Sequence, residues 1–253
     1  MFRILFSDPP CPVCQGHCVP YDVVDFHKTC AEERGLFMSL SGIPIYYFLC
    51  ERCRFVFAPE FGSWSPADFA KFIYNADYAA IDPDFKALRP DTNAQGLLKL
   101  LPEARHVRHL DYGGGEGRLA SILRAAGWNS TNFDPYAGES RTLPADAKFD
   151  LITSFEVFEH EPDPLFLVER LTGLLAESGL IVFSTLLSDT QLHPPKRIDW
   201  WYVAPRNGHI SIFSNDSLVH LAERFGYRLF GFHEGLHVFA KQVPAWAKHV
   251  LPD

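Results

Sequence analysis

A glycine-rich segment, HVRHLDYGGGEG at residues 106–117, constrains the fold of this chain more than any other. Its first residues predict a short strand, and Gly113, Gly115 and Gly117 then occupy alternate positions. Apolar residues at helical spacing follow at 118–126. A strand, a glycine loop and a helix open nucleotide-binding α/β units, because glycine lets the backbone turn sharply and approach a ligand. The helix N-terminus would offer that ligand free N–H groups.

The residues around the glycines distinguish two kinds of nucleotide-binding loop. Dinucleotide-binding folds prefer Gly-x-Gly-x-x-Gly, whereas this chain has Asp-x-Gly-x-Gly-x-Gly, with Asp111 directly before the loop. That pattern resembles motif I of the class I S-adenosylmethionine-dependent methyltransferases, which implies S-adenosylmethionine as cofactor. Asp134 follows at the predicted end of the next strand, where a carboxylate can accept hydrogen bonds from both ribose hydroxyls. Glycine clusters alone mostly form ordinary turns, so the prediction depends on all three features together.

Strand-like and helix-like segments alternate through residues 103–253, which predicts an α/β domain with a largely parallel sheet and helices on both faces. The segment FDLITSFE (149–156) is apolar on both faces, as expected of a central strand. A third strand is poorly marked, because only ESRTLPADAK separates Asp134 from that segment. The chain closes with YRLFGFHEG and LHVFAKQV, an antiparallel-looking hairpin. This ending resembles the Rossmann-like sheet of class I methyltransferases rather than that of nucleotide dehydrogenases.

All six cysteines lie within the first 53 residues, and four of them form two Cys-x-x-Cys pairs. In the absence of secretory features, such pairs indicate a metal rather than disulfides. Cys11 with Cys14 and Cys50 with Cys53 have the spacing typical of a zinc ribbon, and IPIYYFLC and CRFVFAP are the β segments that accompany them. We therefore predict a structural Zn²⁺ site, closed by four thiolates, in a zinc-ribbon-like module of residues 1–60.

The remaining cysteines and the nearby histidines have two interpretations. Cys18, Cys30, His17 and His27 are most simply packing or loop residues, and we favour that interpretation. The alternative is an exchange of zinc ligands within the module or a second metal site.

Residues 61–102 are predicted to form a helical connector between the module and the α/β domain. Ser65 and Asp91 are the predicted N-caps of its helices. Tyr74 and Tyr78 lie just upstream of the α/β domain, where they can fold over a cofactor. The alternative is core packing within the connector, which we favour for Tyr74, whereas Tyr78 is assigned to the cofactor site.

The net charge and the length of the apolar runs limit the kinds of partner that this chain can bind. The 253 residues carry a formal net charge of −8 and have a pI near 5.7, which argues against a large nucleic-acid-binding surface. No apolar run approaches the ~20 residues that a membrane span requires, and residues 1–10 lack the features of a signal peptide. We expect a cytoplasmic protein that acts on a small molecule, without a membrane or nucleic-acid partner.

Two histidines follow predicted strands at the ends where open α/β sheets bind ligands. His160 follows the fourth strand in SFEVFEH, and His209 lies in an insertion after the fifth, within APRNGHISIFS. Methyl transfer requires an aligned acceptor, exclusion of water and, for a hydroxyl acceptor, removal of a proton. An imidazole, with an ordinary pKa of about 6.5, suits that last task. His209 is therefore our first candidate base and His160 the second; the alternative for each is a purely structural role.

Acidic and aromatic residues accompany these histidines. Glu156 and Glu159 flank the first of them, and either can orient an imidazole or contact the cofactor. We assign Phe155 and Glu156 to the cofactor site. The aromatic run at 200–202 fits either a platform for a ring-shaped substrate or a small core within the insertion.

Several motifs extend the resemblance over nearly the whole chain. GGGEG, FDLITSFEVFEHEPDP, GLIVFST and GHISIFS look like class I methyltransferases of the ubiquinone-methylase-like type. The four-cysteine module, FIYNADY and GHISIFS are also similar to zinc-containing methyltransferases of nucleotide-linked deoxysugars. The sugar C-methyltransferases normally place a glutamate directly before the second histidine and a tyrosine two residues earlier, whereas this chain has Gly208 and Arg206. These departures disfavour C-methylation through an enolate.

Taken with the candidate residues, the resemblance implies S-adenosylmethionine-dependent methyl transfer to a small polar acceptor. O-methylation of a sugar or a glycan-related metabolite is the preferred reaction. The alternatives are C-methylation of a nucleotide-linked sugar, rRNA base methylation and cofactor binding without catalysis. A zinc module that only recruits a protein partner would not need the glycine loop.

Overall fold

The computed structural model describes residues 9–136, 142–144, 146–233 and 235–252. Ten strands lie in these ranges: β1 (Cys18–Asp25), β2 (Pro44–Cys50), β3 (Val56–Phe57), β4 (Arg108–Tyr112), β5 (Asn129–Phe133), β6 (Phe149–Ser154), β7 (Leu175–Ser184), β8 (Ser211–Ile212), β9 (Arg228–His233) and β10 (Leu236–Ala240). Six α-helices accompany them: α1 (Pro66–Phe72), α2 (Tyr78–Ile81), α3 (Leu88–Leu100), α4 (Arg118–Ala125), α5 (Pro164–Leu174) and α6 (Asn215–Arg224). Short 3-10 helices cover Cys30–Arg34, Pro59–Ser63, Pro102–His106, Phe158–His160, Pro205–Asn207 and Ala245–Ala247. No helix in the described ranges combines the length and apolar character that crossing a membrane requires.

Six strands form the central sheet, in the order β5-β4-β6-β7-β10-β9. β4 pairs in parallel with β5 and β6, β6 pairs in parallel with β7, and β10 lies antiparallel between β7 and β9. The predicted parallel sheet that ends on an antiparallel hairpin is therefore confirmed. Of the weakly marked third strand, residues 142–144 and 146–148 contain no strand, and residues 139–141 and 145 lie outside the described ranges.

The two faces of the central sheet carry separate hydrophobic clusters. Neighbouring residues of a strand point to opposite faces, and in β6 Leu151 joins one cluster while Ile152 joins the other. Side chains of α3 and α4 cover the Leu151 face, and those of α5 and α6 cover the Ile152 face. Both faces of this central strand are thus buried beneath helices, which confirms the predicted α/β layering.

A second sheet contains four antiparallel strands in the order β1-β2-β3-β8, and the two cysteine pairs lie at its turns. β1 is only partly buried over most of its length, so its sequence lacks the apolar pattern that marks β2. The fourth strand, β8, comes from the insertion after β7, with Val56 paired to Ile212 and Phe57 to Ser211. The cysteine module and the insertion that carries His209 therefore share one sheet.

A third hydrophobic cluster joins the second sheet, the connector and the insertion. Trp200 and Tyr202 belong to it and are 8% and 3% exposed, and Trp201 packs against it. The aromatic run of the insertion is therefore largely a core element rather than an exposed platform. Its other buried members include Tyr47, Leu49, Val56, Phe61, Phe69, Ile73, Tyr78, Val203, Ile210 and Ile212.

Of the two N-caps predicted in the connector, one is confirmed and the other is wrong. Ser65 caps α1 through a capping box, as predicted. The prediction for Asp91 is wrong, because α3 begins at Leu88 and Asp91 lies in its first turn. Pro90 fits that turn, since the first N–H groups of a helix need no internal partner. The Asp91 carboxylate instead accepts hydrogen bonds from Arg118 at the start of α4.

Candidate active site and zinc centre

The glycine loop connects β4 to α4. Gly113, Gly115 and Gly117 have φ angles of 79°, 54° and 82°, which residues with side chains rarely adopt. A Cβ on Gly113 would lie 2.4 Å from a Val157 methyl carbon, whereas a Cβ on Gly115 would meet no atom within 4 Å. The loop is therefore packed tightly at its start and leaves open space beside Gly115.

Gly114 is a further site residue, and the GGG run was the available sequence signal for it. A Cβ here would lie 2.2 Å from Asp111 Oδ2 and 2.2 Å from Asn132 Oδ1. Both oxygens are buried and have no hydrogen-bond partner among the described residues. Two unpartnered acceptors beside a glycine loop fit a ligand that brings N–H donors, such as the ammonium group of S-adenosylmethionine.

Asp111 is buried at the end of β4 in a chain of polar side chains. Thr153 Oγ1 donates to Asp111 Oδ1 over 2.9 Å, and His109 Nε2 lies 2.9 Å from the same hydroxyl. His109 Nδ1 in turn lies 2.7 Å from Ser130 Oγ. Burial raises the pKa of Asp111 to about 7. A cationic group bound beside this carboxyl would favour its ionised form.

Asp134 follows β5 and folds back onto the glycine loop. Its Oδ2 accepts a hydrogen bond from Gly115 N over 2.9 Å, and its Oδ1 accepts one from Tyr136 N over 2.7 Å. Asn132 donates from Nδ2 to Gly115 O over 3.0 Å. Each carboxylate oxygen can accept a further hydrogen bond, so Asp134 keeps acceptor capacity beside the loop. The structure thus brings Asp111, Asp134 and the glycines together, and the ribose contact stays a prediction.

Glu156 follows β6 with a φ of 54°, a strained angle for a residue with a side chain. Its N–H donates to Ser184 Oγ over 2.8 Å, and that hydroxyl donates to its Oε1 over 3.0 Å. Arg89 of α3 donates to its Oε2 over 2.9 Å and also pairs with Asp82. Arg89 therefore ties the connector to the end of β6, and no sequence pattern marked it. Phe155 packs, partly buried, against the cluster beneath α3 and α4.

Tyrosines of the connector lie between the glycine loop and the histidines. The Tyr74 ring centroid is 5.8 Å from that of Tyr136, 5.1 Å from that of Tyr78 and 6.1 Å from that of His160. Tyr78 is 8% exposed, and its hydroxyl donates to Asn207 O over 3.3 Å. Tyr74 packs against the third cluster and also bridges the two halves of the site. Burial raises the pKa of both connector tyrosines.

His160 and His209 lie edge to face, with ring centroids 4.9 Å apart. His209 Nδ1 lies 2.8 Å from the backbone oxygen of Tyr202. Because a carbonyl only accepts, Nδ1 carries the proton and Nε2 presents a lone pair. Burial lowers the pKa of both histidines to about 3, and for His160 the neighbouring His209 adds to this effect. Both imidazoles are therefore neutral at pH 7.

The position directly before His209 is occupied by Gly208 and has no room for a glutamate side chain. Its φ is 90°, and a Cβ there would lie 2.9 Å from His160 Nδ1 and 3.3 Å from the Tyr74 hydroxyl. A glutamate side chain at this position would displace one of those two groups. Arg206, the other departure, is buried and donates to the backbone oxygen of Ile73 over 3.0 Å, so it fastens the insertion to the connector.

Glu159 lies beside the histidines and is fully buried. The Tyr202 hydroxyl donates to its Oε1 over 2.8 Å, whereas its Oε2 has no partner among the described residues. Burial, with the nearby Glu156 carboxylate, raises the pKa of Glu159. Cys30 Sγ lies 3.7 Å from His209 Nδ1, so a cysteine that the sequence suggests is a packing or loop residue belongs to this cluster. Only the tertiary fold reveals the positions of Tyr202 and Cys30.

The four predicted zinc ligands converge at the turns of the second sheet. Cys11 Sγ lies 3.6 Å from Cys53 Sγ, Cys14 Sγ lies 3.5 Å from Cys50 Sγ, and all four sulfurs are within 4.8 Å of one another. A tetrahedral Zn²⁺ with bonds of about 2.3 Å separates its sulfur ligands by about 3.8 Å. The geometry and the thiol donors therefore fit zinc.

The other cysteine and histidines of the module lie outside this group of four sulfurs. Cys18 is fully buried, and its thiol lies 3.7 Å from a backbone oxygen. His17 pairs with Glu51 at the surface, and His27 bonds a backbone oxygen. Their positions agree with packing and loop roles.

Known methyltransferases resemble this chain in sequence. The methyltransferase domain family matches residues 85–230. A malonyl-[acyl-carrier protein] O-methyltransferase of Porphyromonas gingivalis is 31% identical over 102 residues, which cover 33% of this chain and 40% of that protein. A ubiquinone biosynthesis O-methyltransferase of Colwellia psychrerythraea is 37% identical over 93 residues, which cover 37% of each chain. The chain thus spans less than half the length of these curated relatives.

A solved structure resembles this chain in fold. It is the 1,6-didemethyltoxoflavin-N1-methyltransferase of Burkholderia thailandensis, determined with bound 1,6-didemethyltoxoflavin and S-adenosylhomocysteine. The TM-score is 0.51 at 16% sequence identity, and the similarity covers 76% of this chain and 96% of that one. The family match at residues 85–230 spans more than half of the chain and contains the whole parallel part of the central sheet. The chain belongs to the methyltransferase domain family.

Proposed function

We propose that this chain transfers a methyl group from S-adenosylmethionine to a hydroxyl group of a small polar acceptor. The observation that carries the proposal is the position of Tyr74, whose ring contacts both Tyr136, beside the glycine loop, and His160. A cofactor at the loop and an acceptor at the histidines would therefore be neighbours. Membership of the family and similarity to two O-methyltransferases support the same reaction.

The cofactor is assigned to the glycine loop. S-adenosylmethionine supplies a sulfonium-bound methyl group that is already reactive. Asp111, with its unpartnered Oδ2, is positioned to accept hydrogen bonds from an ammonium group. Asp134 keeps acceptor capacity for ribose hydroxyls, and the open space beside Gly115 leaves room for the ligand backbone. Phe155, Glu156 and Tyr78 complete the proposed cofactor site.

His209 is the proposed base, and His160 is the second candidate. The Nδ1–H bond to the Tyr202 carbonyl fixes the His209 ring and directs the lone pair of Nε2 away from that contact. As the acceptor oxygen bonds to the methyl carbon, its proton would pass to this lone pair. Tyr74 and Tyr78 exclude water from the space between the base and the loop.

We propose a sugar or a similar ring-shaped metabolite as the acceptor. A cavity of about 160 Å³ is lined in part by Trp200 and Trp201 of the insertion. Leu186 N donates to the Tyr202 hydroxyl, which also contacts Glu159, so one wall of the cavity is linked to the site. Two indole side chains among the lining residues suit the face of a ring. The lining residues are Leu186, Leu187, Gln191, Trp200 and Trp201.

Two rival reactions are less consistent with the chain. The lack of space for a side chain at Gly208 disfavours the glutamate-assisted C-methylation of nucleotide-linked sugars. The net charge of −8 disfavours rRNA as a substrate. The cytoplasmic location and the domain boundaries at residues 60 and 102 stay predictions.

A substrate screen tests the proposal. Sugar nucleotides, glycans and phenols are supplied with S-adenosylmethionine, and formation of S-adenosylhomocysteine is measured. We expect turnover with a hydroxyl-bearing ring and a loss of about 10²–10⁴-fold in kcat for His209→Ala, with little change in cofactor affinity. His193→Ala, which removes a surface histidine, is the matched control. Turnover with RNA alone, or full activity in the His160→Ala/His209→Ala double variant, would overturn the proposal.

A further inference from the structure

A second group of metal-ligating side chains lies in the histidine cluster, separate from the four cysteines. Glu159, His160 and His209 each offer one ligating atom, and these three atoms lie within 4.8 Å of one another. Glu159 is fully buried and His209 is 4% exposed. A carboxylate and two imidazoles concentrated in the interior need a common partner, because buried polar groups rarely remain unsatisfied.

The hydrogen bonds of the cluster leave one polar side-chain atom on each residue that can bind a ligand. Glu159 Oε2 and His160 Nδ1 are buried and have no partner among the described residues. His209 holds its Nδ1 proton against Tyr202 O, so its Nε2 keeps a lone pair. Gly208 packs so closely here that a Cβ would lie 2.9 Å from His160 Nδ1. Three polar atoms that can each present a lone pair, two of them buried without a partner among the described residues, fit a cation.

We propose that Glu159, His160 and His209 bind a divalent first-row transition-metal ion, such as Zn²⁺, Fe²⁺ or Co²⁺. Two imidazoles and one carboxylate are a ligand set that catalytic zinc and non-haem iron sites use, and they leave coordination positions open. Mg²⁺ and Ca²⁺ fit less well, because they prefer sites built from oxygen ligands. Metal bonds of about 2.0–2.2 Å place neighbouring ligand atoms about 3–3.6 Å apart, below the 4.8 Å limit within which these three atoms lie.

The surrounding groups resemble the outer shell of a metal site. Metal-bound histidines usually donate their second N–H to a carbonyl or a carboxylate, which fixes the ring. The Tyr202 carbonyl has that relation to His209, and the Tyr202 hydroxyl holds the other oxygen of Glu159. One residue therefore orients two of the three proposed ligands.

Ion binding itself is independent of the reaction, but its consequence rests on the proposed function. An ion with an open position lowers the pKa of a hydroxyl that binds there. The acceptor would lose its proton to water, and its oxygen would then bond to the methyl carbon as the carbon–sulfur bond breaks and sulfur keeps the electron pair. The histidines would then act through the ion.

Cobalt spectroscopy on the full chain, with zinc retained by the cysteines, tests the site. We expect one equivalent of Co²⁺ to bind with weak ligand-field bands and without thiolate-to-cobalt charge transfer, since Glu159, His160 and His209 contain no sulfur. Glu159→Gln and His160→Ala should each weaken Co²⁺ binding by about 100-fold or more, beyond the loss typical of outer-shell changes. His193→Ala should bind as the wild type does.

Two further measurements distinguish loss of the metal site from misfolding and from loss of methyl transfer. Circular dichroism and one retained zinc equivalent establish that each variant is folded, and Glu159→Gln keeps nearly the shape of the native side chain. Absence of saturable Co²⁺ binding in the wild type, or binding within tenfold of wild type in both folded variants, would overturn the site. Methyl transfer is measured separately, so loss of activity with intact Co²⁺ binding would contradict the proposed function and leave the metal site standing.

Discussion

Tyr47 offers a direct test of how the cysteine module supports the candidate base. Its ring is fully buried in β2, and its hydroxyl donates to the backbone oxygen of His209 over 2.8 Å. Tyr47→Phe leaves that carbonyl without its donor in the interior, which should lower the free energy of unfolding by about 1–3 kcal/mol. Urea unfolding followed by tryptophan fluorescence measures this loss. A displacement of His209 by about 1 Å would also lower kcat by up to about 100-fold.

The matched control is Tyr21→Phe, on the neighbouring strand β1. The Tyr21 hydroxyl is buried but has no hydrogen-bond partner among the described residues, so its removal breaks no such bond. We expect a change within about 0.5 kcal/mol in the free energy of unfolding and an unchanged kcat. Equal destabilisation by both variants, or a Tyr47→Phe protein with the stability and kcat of the wild type, would refute the reasoning.

Three further predictions concern the metal, the cofactor and pH. Protein purified without chelator should contain at least one tightly held zinc by elemental analysis, and replacing Cys50 and Cys53 with Ser should remove one equivalent and impair folding; normal folding without zinc would contradict this. Gly115→Val should abolish S-adenosylmethionine binding, and Asp134→Ala should weaken it by about 1–3 kcal/mol in calorimetry; wild-type affinity in both would reject the site. Burial lowers the pKa of His109 to about 3, so its contribution to stability is complete above pH ~6.5 and is lost as pH falls from there towards 3. His109→Gln should therefore lose about 2 kcal/mol less unfolding free energy between pH 7 and pH 5 than the wild type, and parallel urea curves for the two proteins would contradict it.

Features with a local physical cause were predictable from the sequence. β6 is buried on both faces over most of its length, and its adjacent apolar residues Leu151 and Ile152, which point to opposite faces, indicate that burial in the sequence. Ser65 caps α1 because side chain and backbone satisfy each other within four residues. Each Cys-x-x-Cys pair fixes the relative position of its two thiols locally, because both cysteines lie on one tight turn. In each case the interaction that fixes the structure lies within a few residues of the sequence that records it.

Features that depend on distant contacts were not predictable. Arg89 meets Glu156 across 67 positions of sequence, and Cys30 meets His209 across 179. Aspartate is a residue type that often caps helices, yet the Asp91 carboxylate pairs with Arg118 of another helix. Hydrophobic periodicity contains no information about such pairs, so the sequence indicates which residues can do chemistry without showing which of them meet.

The shared sheet determines what a zinc ion at the four cysteines would do for the rest of the protein. β3 of the module pairs with β8 of the insertion, and Ser214 Oγ donates to the backbone oxygen of Cys53 over 2.6 Å. The Tyr47 hydroxyl of the module also donates to the backbone oxygen of His209. A zinc ion that fixes the turn at Cys53 would therefore also restrain the insertion that carries the candidate base. Because these links use backbone atoms and the buried side chains of Tyr47 and Ser214, substitutions on the module surface should leave the base in place, whereas disorder of the metal turn should displace His209.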